Sequence, residues 1–374
     1  MRCAVLALLV LRPALCGAWE VSVPTIRGLQ VEQGETILIP GATNTICCQL
    51  ADGRIVVAGD DRGIWSEDGG REWAPGPVGP PGKTTIDLGD GEVLGFGQST
   101  TRRPDGLYQL GLVRSTDNWE TTAPETAVFD LPLATSCGSD DGDACGGLIM
   151  HHGIIRLSDG RLMATMYGNY QGDSEMADGY PVALNLRKRR TVVVFSSDRG
   201  RSWGDPVTVA YGVMLGRGPD PDTRVLSYEL VPAITQEGFC EADLVRAPNG
   251  DILCAMRSGG RIGVGKVPIF PTPMYLSRSA DEGKTWTPPV PMADRGVCPS
   301  LIALDSGVIV CAYARPGGWL IFSDDSGETW KGAFQIATSD AYCSLVPTGP
   351  DQVLVFYHMD GKVYGTFYTV RRTP

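Results

Sequence analysis

The sequence is poor in basic charge and in histidine. Its 374 residues include 32 lysines and arginines against 43 aspartates and glutamates, which gives a formal net charge of −11, and only three histidines. The longest basic run is four residues, 187 to 190, which we interpret as a solvated strand edge. An acidic chain without a basic block disfavours a nucleic acid or an anionic membrane surface as partner.

Long hydrophobic runs are also missing. The apolar run from Cys3 to Leu11 is about half as long as the roughly 20 residues that a membrane-spanning helix needs. Because it follows Arg2 and precedes small residues, it predicts a signal peptide over residues 1–18. We therefore expect a secreted or periplasmic protein, with residues 19–374 as a single domain and no insertion into a membrane.

Motifs for metals and nucleotide cofactors are absent as well. The chain has no CxxC pair, HExxH motif, glycine-rich phosphate loop or Rossmann unit, so we predict no cofactor and no catalytic metal. Calcium at the acidic loop Asp140–Asp143 is the weaker alternative to a solvated loop. Cys137 and Cys145 flank that loop and are the pair that we expect to form a disulfide. Cys254 and Cys311 stand in apolar runs typical of buried strands.

Glycine and proline, in contrast, are abundant, with 48 and 27 residues, as in turn-rich β proteins. The pattern S-x-D-x-G-x-x-W occurs four times after apolar runs, and a shortened copy occurs once. In such a hairpin turn the aspartate accepts backbone N–H bonds, the glycine takes a positive φ, and the tryptophan packs beneath. The full copies begin at Ser66, Ser196, Ser279 and Ser323, and the short one begins at Ser115.

A second repeat is an apolar run, a turn such as Asp-Gly, and another apolar run. Six such units predict an all-β, six-bladed β-propeller with little helix. We expect the run from Thr36 to Pro40 to complete the last blade. The six hairpins span residues 45–59, 84–97, 153–166, 242–256, 301–314 and 343–357.

The repeated turn is the Asp-box, also called the bacterial neuraminidase repeat. With it, the chain resembles the sialidase (neuraminidase) superfamily over roughly residues 44–370. The resemblance implies a sialidase-like six-bladed propeller. Asp-boxes indicate a fold and not an activity, so the function has to be sought elsewhere in the chain.

The start of the first strand and the end of the second lie at the same end of each predicted hairpin. These positions from all six units therefore meet at one mouth of the propeller. Two arginines there indicate binding of an anion such as a carboxylate, or pairing with the acids Glu241 and Asp61. The strand starts are Asn44, Thr84, His151, His152, Glu241, Pro299 and Tyr342, and the strand ends are Asp60, Asp61, Gln98, Tyr167, Arg257, Arg315 and His358.

The sialidase resemblance gives roles to four of these residues. Glu241 and Arg257 in the fourth unit, Arg315 in the fifth and Tyr342 in the sixth follow the order found in sialidases. By that resemblance Tyr342 attacks the anomeric carbon, Glu241 takes its proton, and the arginines bind a sugar carboxylate. The implied activity is an exo-glycosidase that removes terminal sialic acid, or a related carboxylate-bearing sugar, from glycans. We also expect the guanidinium groups to lower the pKa of Tyr342 from about 10.

Parts of the sialidase pattern are missing. A third arginine opens the first blade of sialidases, where this chain has Asn44. For the catalytic acid we predict Asp61, with Asp173 in the insert 167–183 as the alternative. The predicted substrate-binding set is Arg257, Arg315, His152, Tyr167, His358 and Gln98.

Two other functions remain open from the sequence. His152, Tyr167 and His358 could remove the C5 proton of a uronic acid and expel the 4-substituent, as in a polysaccharide lyase. A carbohydrate-binding propeller without catalysis would use the same side chains for hydrogen bonds alone. In all three cases the partner is a glycan or glycoconjugate, and the sequence does not give the oligomeric state.

Overall fold

The computed structural model of the chain describes residues 21–60, 62–135, 146–177, 187–212, 237–259 and 272–373. Within these ranges the chain forms β-strands and no helix, so no helix there is long and apolar enough to cross a membrane. The predicted signal peptide, the pair Cys137 and Cys145, the loop Asp140–Asp143 and the predicted acid Asp61 lie outside the described residues.

Antiparallel pairing groups the strands into sets of four that mostly follow chain order. Strand β1 (Leu29–Leu38) is the exception, because its partner lies at the other end of the chain. The first set contains β2 (Ala42–Gln49), β3 (Ile55–Gly59), β4 (Gly63–Ser66) and β5 (Ala74–Pro75). The second contains β6 (Thr84–Asp87), β7 (Val93–Phe96), β9 (Tyr108–Ser115) and β10 (Ala123–Phe129), with β8 (Thr101–Arg102) paired to β9.

The third set is joined to the second. It contains β12 (Ile149–Arg156), β13 (Leu162–Tyr170), β14 (Arg190–Ser196) and β15 (Ser202–Ala210), with β11 (Ala134–Thr135) paired to β13. Because β10 and β15 pair in parallel, the two sets form one ten-stranded sheet.

The remaining sets are separate four-stranded sheets. The fourth contains β16 (Cys240–Arg246), β17 (Ile252–Arg257), β18 (Met274–Ser279) and β19 (Val290–Ala293). The fifth contains β20 (Val297–Ala303), β21 (Ile309–Ala314), β22 (Gly318–Ser323) and β23 (Lys331–Ala337). The sixth contains β24 (Ser344–Gly349), β25 (Gln352–Met359), β26 (Lys362–Arg372) and β1.

The N-terminal strand completes the last set. Leu29 pairs with Arg372 and Thr36 with Thr366 in the ladder between β1 and β26. The prediction that the run from Thr36 to Pro40 joins the last set is therefore confirmed in part, because the observed strand begins seven residues earlier, at Leu29, and ends at Leu38.

The first strands of the six sets contact one another in order. Contacts join β2 to β6, β6 to β12, β12 to β16, β16 to β20, β20 to β24 and β24 back to β2. Irregular register interrupts β12, β16 and β20 at equivalent places. His152, Glu241 and Cys298 lie in these bulges with positive φ values of 63°, 43° and 48°. Such bulges re-aim side chains, and here the residue types that they re-aim are chemically reactive ones.

The four full turn repeats share one geometry, which the turn beginning at Ser196 illustrates. Asp198 accepts N–H bonds from Arg201 and Ser202 at 3.0 and 2.9 Å, and the Ser196 hydroxyl donates to it at 2.8 Å. Gly200 has a φ of 82°, and the Trp203 indole N–H donates to its carbonyl at 3.0 Å. The predicted turn chemistry is thus observed, except that the Trp330 indole N–H has no partner among the described residues.

Tryptophans and thiols of the repeats fill the core between sets. Trp203 is almost fully buried. Its ring stacks on Phe129, with 6.0 Å between the ring centroids, and meets the edge of Phe96, with 5.8 Å between centroids. Trp203 therefore packs the second set against the third. Cys254 and Cys311 are fully buried free thiols in apolar clusters, as the sequence predicts.

Candidate functional site

Residues in or just before the six first strands come together through contacts between different sets. The Thr45 hydroxyl donates to the Tyr342 carbonyl at 2.9 Å, and the Lys83 ammonium donates to the Cys298 sulfur at 2.9 Å. We call this group the inner-strand cluster. Its six members, one from each set in order, are Thr45, Lys83, His152, Glu241, Cys298 and Tyr342.

Tyr342 and Glu241 form the central pair of the cluster. The Tyr342 hydroxyl donates to Glu241 Oε1 at 2.7 Å, and Arg257 Nη1 donates to the same oxygen at 2.7 Å. The sequence predicted a nucleophile, a base and an arginine at these positions, and the structure brings the three side chains together.

Arg257 is already paired with protein groups. Its Nη1 bonds Glu241, its Nη2 lies 2.7 Å from Glu237 Oε1, and its Nε donates to the Gly259 carbonyl at 2.7 Å. The residue is only 4 % exposed. The sequence allowed either a carboxylate ligand or a partner of Glu241, and the structure has the second arrangement. Arg257 therefore sets the charge of Glu241 before any ligand arrives.

The protonation states of the pair follow from burial and charge. Burial alone would raise the pKa of Glu241, but the charge of Arg257 outweighs it and holds that pKa far below its ordinary value. Burial, reinforced by the Glu241 carboxylate, raises the pKa of Tyr342 well above 10. The expected lowering is therefore wrong for the ligand-free protein, because the nearest charge is an anion. Tyr342 rests as a neutral phenol that donates to an ionised carboxylate.

Two cations lie against the Tyr342 ring. The Lys83 ammonium is 4.0 Å from the ring centroid and the Arg315 guanidinium is 5.0 Å from it. Burial raises the pKa of Cys298 to about 11, so Lys83 meets a neutral thiol. Within the described ranges Lys83 has no carboxylate within ion-pair distance. The sequence pattern pointed to Thr84, the buried first residue of β6, and missed Lys83, which immediately precedes that strand.

His152 and Asp243 form a second polar pair. His152 Nδ1 lies 2.8 Å from the Pro299 carbonyl oxygen and 3.5 Å from Asp243 Oδ2. The neighbouring His151 ring, with its centroid at 6.0 Å, is buried, and burial lowers its pKa to about 3. His151 is therefore neutral, and Asp243, which the sequence did not single out, is the carboxyl that faces His152.

Tyr167 lies beside these histidines under an arginine. Its ring centroid is 6.1 Å from that of His151 and 5.7 Å from the Arg189 guanidinium. Arg189 Nη1 is 3.5 Å from Glu237 Oε2, and only 12 % of its side chain is exposed. The interpretation of run 187–190 as a solvated strand edge is thus wrong here, because Arg189 turns inward to a buried glutamate.

The alternative acid Asp173 is committed to an ion pair. It is 8 % exposed, and the Nε of Arg190 donates to its Oδ2 at 2.9 Å. The same oxygen accepts the Tyr170 N–H at 2.8 Å. Asp173 therefore fastens the insert to β14 and does not join the inner-strand cluster.

Two predicted substrate-binding residues, Gln98 and His358, have no hydrogen bond to a cluster member among the described residues. Gln98 is exposed, and its backbone carbonyl accepts the Met150 N–H at 2.8 Å. His358, on β25, is half-buried, and burial lowers its pKa. Among the described residues neither side chain hydrogen-bonds Tyr342 or Glu241. Their roles in binding stay predictions.

No protein-family model matches the chain, and no curated protein matches it. Solved structures do match. A Dyadobacter fermentans protein of unknown function is 18 % identical, with a TM-score of 0.57 over 92 % of this chain and 100 % of that one. The GH93 α-L-arabinofuranosidase of Fusarium graminearum, solved with arabinobiose, is 12 % identical, with a TM-score of 0.56 over 91 % and 98 %.

A sialidase is also among the matches. The Trypanosoma rangeli sialidase, solved as a covalent intermediate with 2,3-difluorosialic acid, is 14 % identical, with a TM-score of 0.51. The alignment covers 91 % of this chain but only 58 % of that one. At these identities the likeness is one of fold. The chain has the all-β fold of propeller-type glycosidases, and sialidases and arabinofuranosidases share it.

Proposed function

We propose that the chain is a glycoside hydrolase of sialidase type, in which the six sets are the six blades of a propeller. The inner-strand cluster would be its active site, and its substrate a glycan ending in sialic acid or a related carboxylate-bearing sugar. The observation that carries the proposal is the 2.7 Å hydrogen bond from Tyr342 to Glu241, with Arg257 on the same oxygen. The circular contacts of the first strands support the blade count.

The pair supplies a nucleophile and its base. Tyr342 attacks the anomeric carbon while its proton passes to Glu241, which Arg257 keeps ionised until that moment. A phenol is neutral before it reacts, so it does not repel a substrate carboxylate as a carboxylate nucleophile would. The raised pKa of Tyr342 fits this order of events, because the phenolate forms only together with the new bond.

The charges beside Tyr342 favour an anionic sugar. In sialic acids the carboxylate is attached to the anomeric carbon itself, so it would sit close to the attacking oxygen. Lys83 and Arg315 both lie against the Tyr342 ring, where they can meet that carboxylate. Their charges would add to that of Arg257, whose nitrogens bond Glu241, Glu237 and the Gly259 carbonyl.

Hydrolysis of an aryl α-sialoside tests the proposal. Tyr342→Phe should lower kcat/KM by about 10³-fold or more, since it removes the nucleophile. The matched control is Tyr364→Phe, because Tyr364, on β26, stacks on Tyr357 of β25 and has no hydrogen bond to a cluster member among the described residues. It should keep wild-type turnover. Wild-type levels in Tyr342→Phe would contradict the assignment.

A second candidate is an arabinofuranosidase. The Fusarium structure matches over 98 % of its chain, whereas the Trypanosoma sialidase matches over 58 %. Arabinofuranose has no carboxylate, so an aryl α-L-arabinofuranoside should be turned over in place of the sialoside. An ultraviolet-absorbing product from a uronic-acid glycan would indicate a lyase instead, and affinity without any turnover a binding module.

A further inference from the structure

We propose that His152, oriented by Asp243, is the general acid and base of the inner-strand cluster, the group that exchanges a proton with the leaving oxygen and with water. The inference rests on the function proposed above. Asp173, the alternative acid predicted from the sequence, does not fill this role, because its carboxylate is paired with Arg190.

The contacts of His152 fix which ring nitrogen carries the proton. A carbonyl oxygen only accepts hydrogen bonds, so Nδ1, at 2.8 Å from the Pro299 carbonyl, must be the donor. In the neutral ring Nε2 then holds the lone pair. This nitrogen has no hydrogen-bond partner among the described residues and is not fully enclosed by them. Nε2 is therefore open to a ligand.

Backbone hydrogen bonds hold the Asp243 carboxyl in place. Its Oδ1 accepts the Leu244 N–H at 2.8 Å and its Oδ2 accepts the Leu301 N–H at 2.7 Å, so both oxygens are anchored to the backbone. Oδ2 also faces His152 Nδ1 at 3.5 Å. A fixed carboxyl behind the ring stabilises the imidazolium once Nε2 takes a proton. No step proposed above uses this buried group.

The backbone conformation of His152 also fixes the direction of its side chain. His152 has a φ of 63° in a bulge of β12, a left-handed backbone conformation that non-glycine residues seldom adopt. Glu241 has the same kind of backbone in the neighbouring set. In both strands a bulge with a positive φ therefore directs the side chain toward the neighbouring first strands.

The electrostatic surroundings set the direction of the pH dependence. Burial lowers the pKa of His152, and Lys83 lowers it further. Asp243, Glu241 and the Pro299 carbonyl oppose this change. His151, the remaining neighbour, is neutral. His152 is therefore neutral at neutral pH, and the imidazolium that begins the first step becomes populated only as the pH falls below 6.5, the ordinary pKa of histidine.

The two chemical steps balance. In the first, Tyr342 Oη bonds to the anomeric carbon and gives its proton to Glu241, while the glycosidic bond breaks and the leaving oxygen takes the Nε2 proton of imidazolium. In the second, Nε2 takes a proton from water, whose oxygen bonds to the anomeric carbon. The bond to Tyr342 breaks, and the phenolate regains its proton from Glu241.

Nitrogen-15 NMR of the histidine rings tests the orientation without any turnover. The chain has only three histidines, so the full-length protein gives three resolvable rings. We expect His152 as the Nδ1–H tautomer, and we expect Asp243→Asn to lower its pKa because a facing negative charge is lost. The control is Asp87→Asn, since Asp87 also accepts one backbone N–H on each oxygen, from Gly89 and Ala51. An Nε2–H tautomer would overturn the proposal.

Kinetics with two leaving groups tests the chemistry. His152→Gln should lower kcat/KM about 10²-fold for a sialoside whose leaving group is a sugar, which needs a proton, and less than tenfold for an aryl sialoside, which does not. Equal losses on both substrates would overturn the acid role. If the wild type hydrolyses no sialoside, the proposed function fails together with this role, and the NMR result shows separately whether the pair is oriented as described.

Discussion

The repeated turns and the inner-strand cluster both draw residues from several sets, yet they are built in opposite ways. In the turns the same residues recur, and the hydrogen bonds join residues two to four positions apart, as from Ser196 to Asp198 and from Gly200 to Ser196. In the cluster every set contributes a different residue. Its bonds join distant residues, such as Tyr342 to Glu241 over 101 positions.

This contrast separates stability from function. The hydrogen bonds of such a turn join its own residues, so the same turn can recur in several sets. A cluster that performs chemistry needs an acid, a base, a cation and a nucleophile from different strands, so its positions cannot repeat. Identical residues in a repeat therefore indicate the fold, and non-identical residues at equivalent positions indicate the site.

The largest stability effect should come from the turn region. Trp203→Ala removes a ring that stacks on Phe129 and touches Phe96, and should lower the free energy of unfolding by about 3–5 kcal/mol. Denaturant unfolding measures the loss. Below its melting temperature the variant should keep the wild-type KM. A changed KM with unchanged stability would break the separation between the two regions.

Much of the fold could be predicted because its signals are local. The turn beginning at Ser196 needs only an aspartate, a glycine and a tryptophan at fixed spacing, and the alternating runs need only their apolar residues. The strand partner of β1 was also predictable. The apolar run near Thr36 had no neighbour to pair with, and the last set lacked its fourth strand, so the two were expected to pair with each other.

A smaller effect, on binding, should come from the cluster. Lys83→Met should raise KM for an aryl α-sialoside about tenfold, the cost of one charge-assisted hydrogen bond, and leave an aryl arabinofuranoside unaffected. Lys331→Met is the matched control, since Lys331 pairs with Asp324 at 2.8 Å outside the cluster. An unchanged KM for the sialoside in Lys83→Met would show that this cation does not meet the substrate.

The smallest effect should be a loss of stability at acid pH in the turn that contains Asp198. Burial alone would raise the pKa of Asp198, but hydrogen bonds from Ser202 and its neighbours outweigh it and lower that pKa below 3.8. The stabilisation is therefore complete above that pH and is lost as the pH falls through the lower, folded-state pKa. Asp198→Ala should cost about 1 kcal/mol at neutral pH and nothing at the acid end. Equal costs at both ends of a melting series would contradict the hydrogen-bond explanation.

The cluster was only partly predictable, for reasons that are physical. Tyr342, Glu241 and Arg257 could be found because their types and order are distinctive. Lys83 could not, since it lies just before β6 and the apolar pattern does not give the exact residue at which that strand begins. The pKa of Tyr342 also required the structure, because its direction depends on whether the nearest charge is Glu241 or Arg257.

Covalent trapping tests the central claim most directly. The account predicts that incubation with 2,3-difluorosialic acid adds one sugar to the intact protein, that the label maps to the peptide containing Tyr342, and that Tyr342→Phe stays unlabelled. Label on any other residue, or equal labelling of Tyr342→Phe, would contradict the assignment of Tyr342 as the nucleophile.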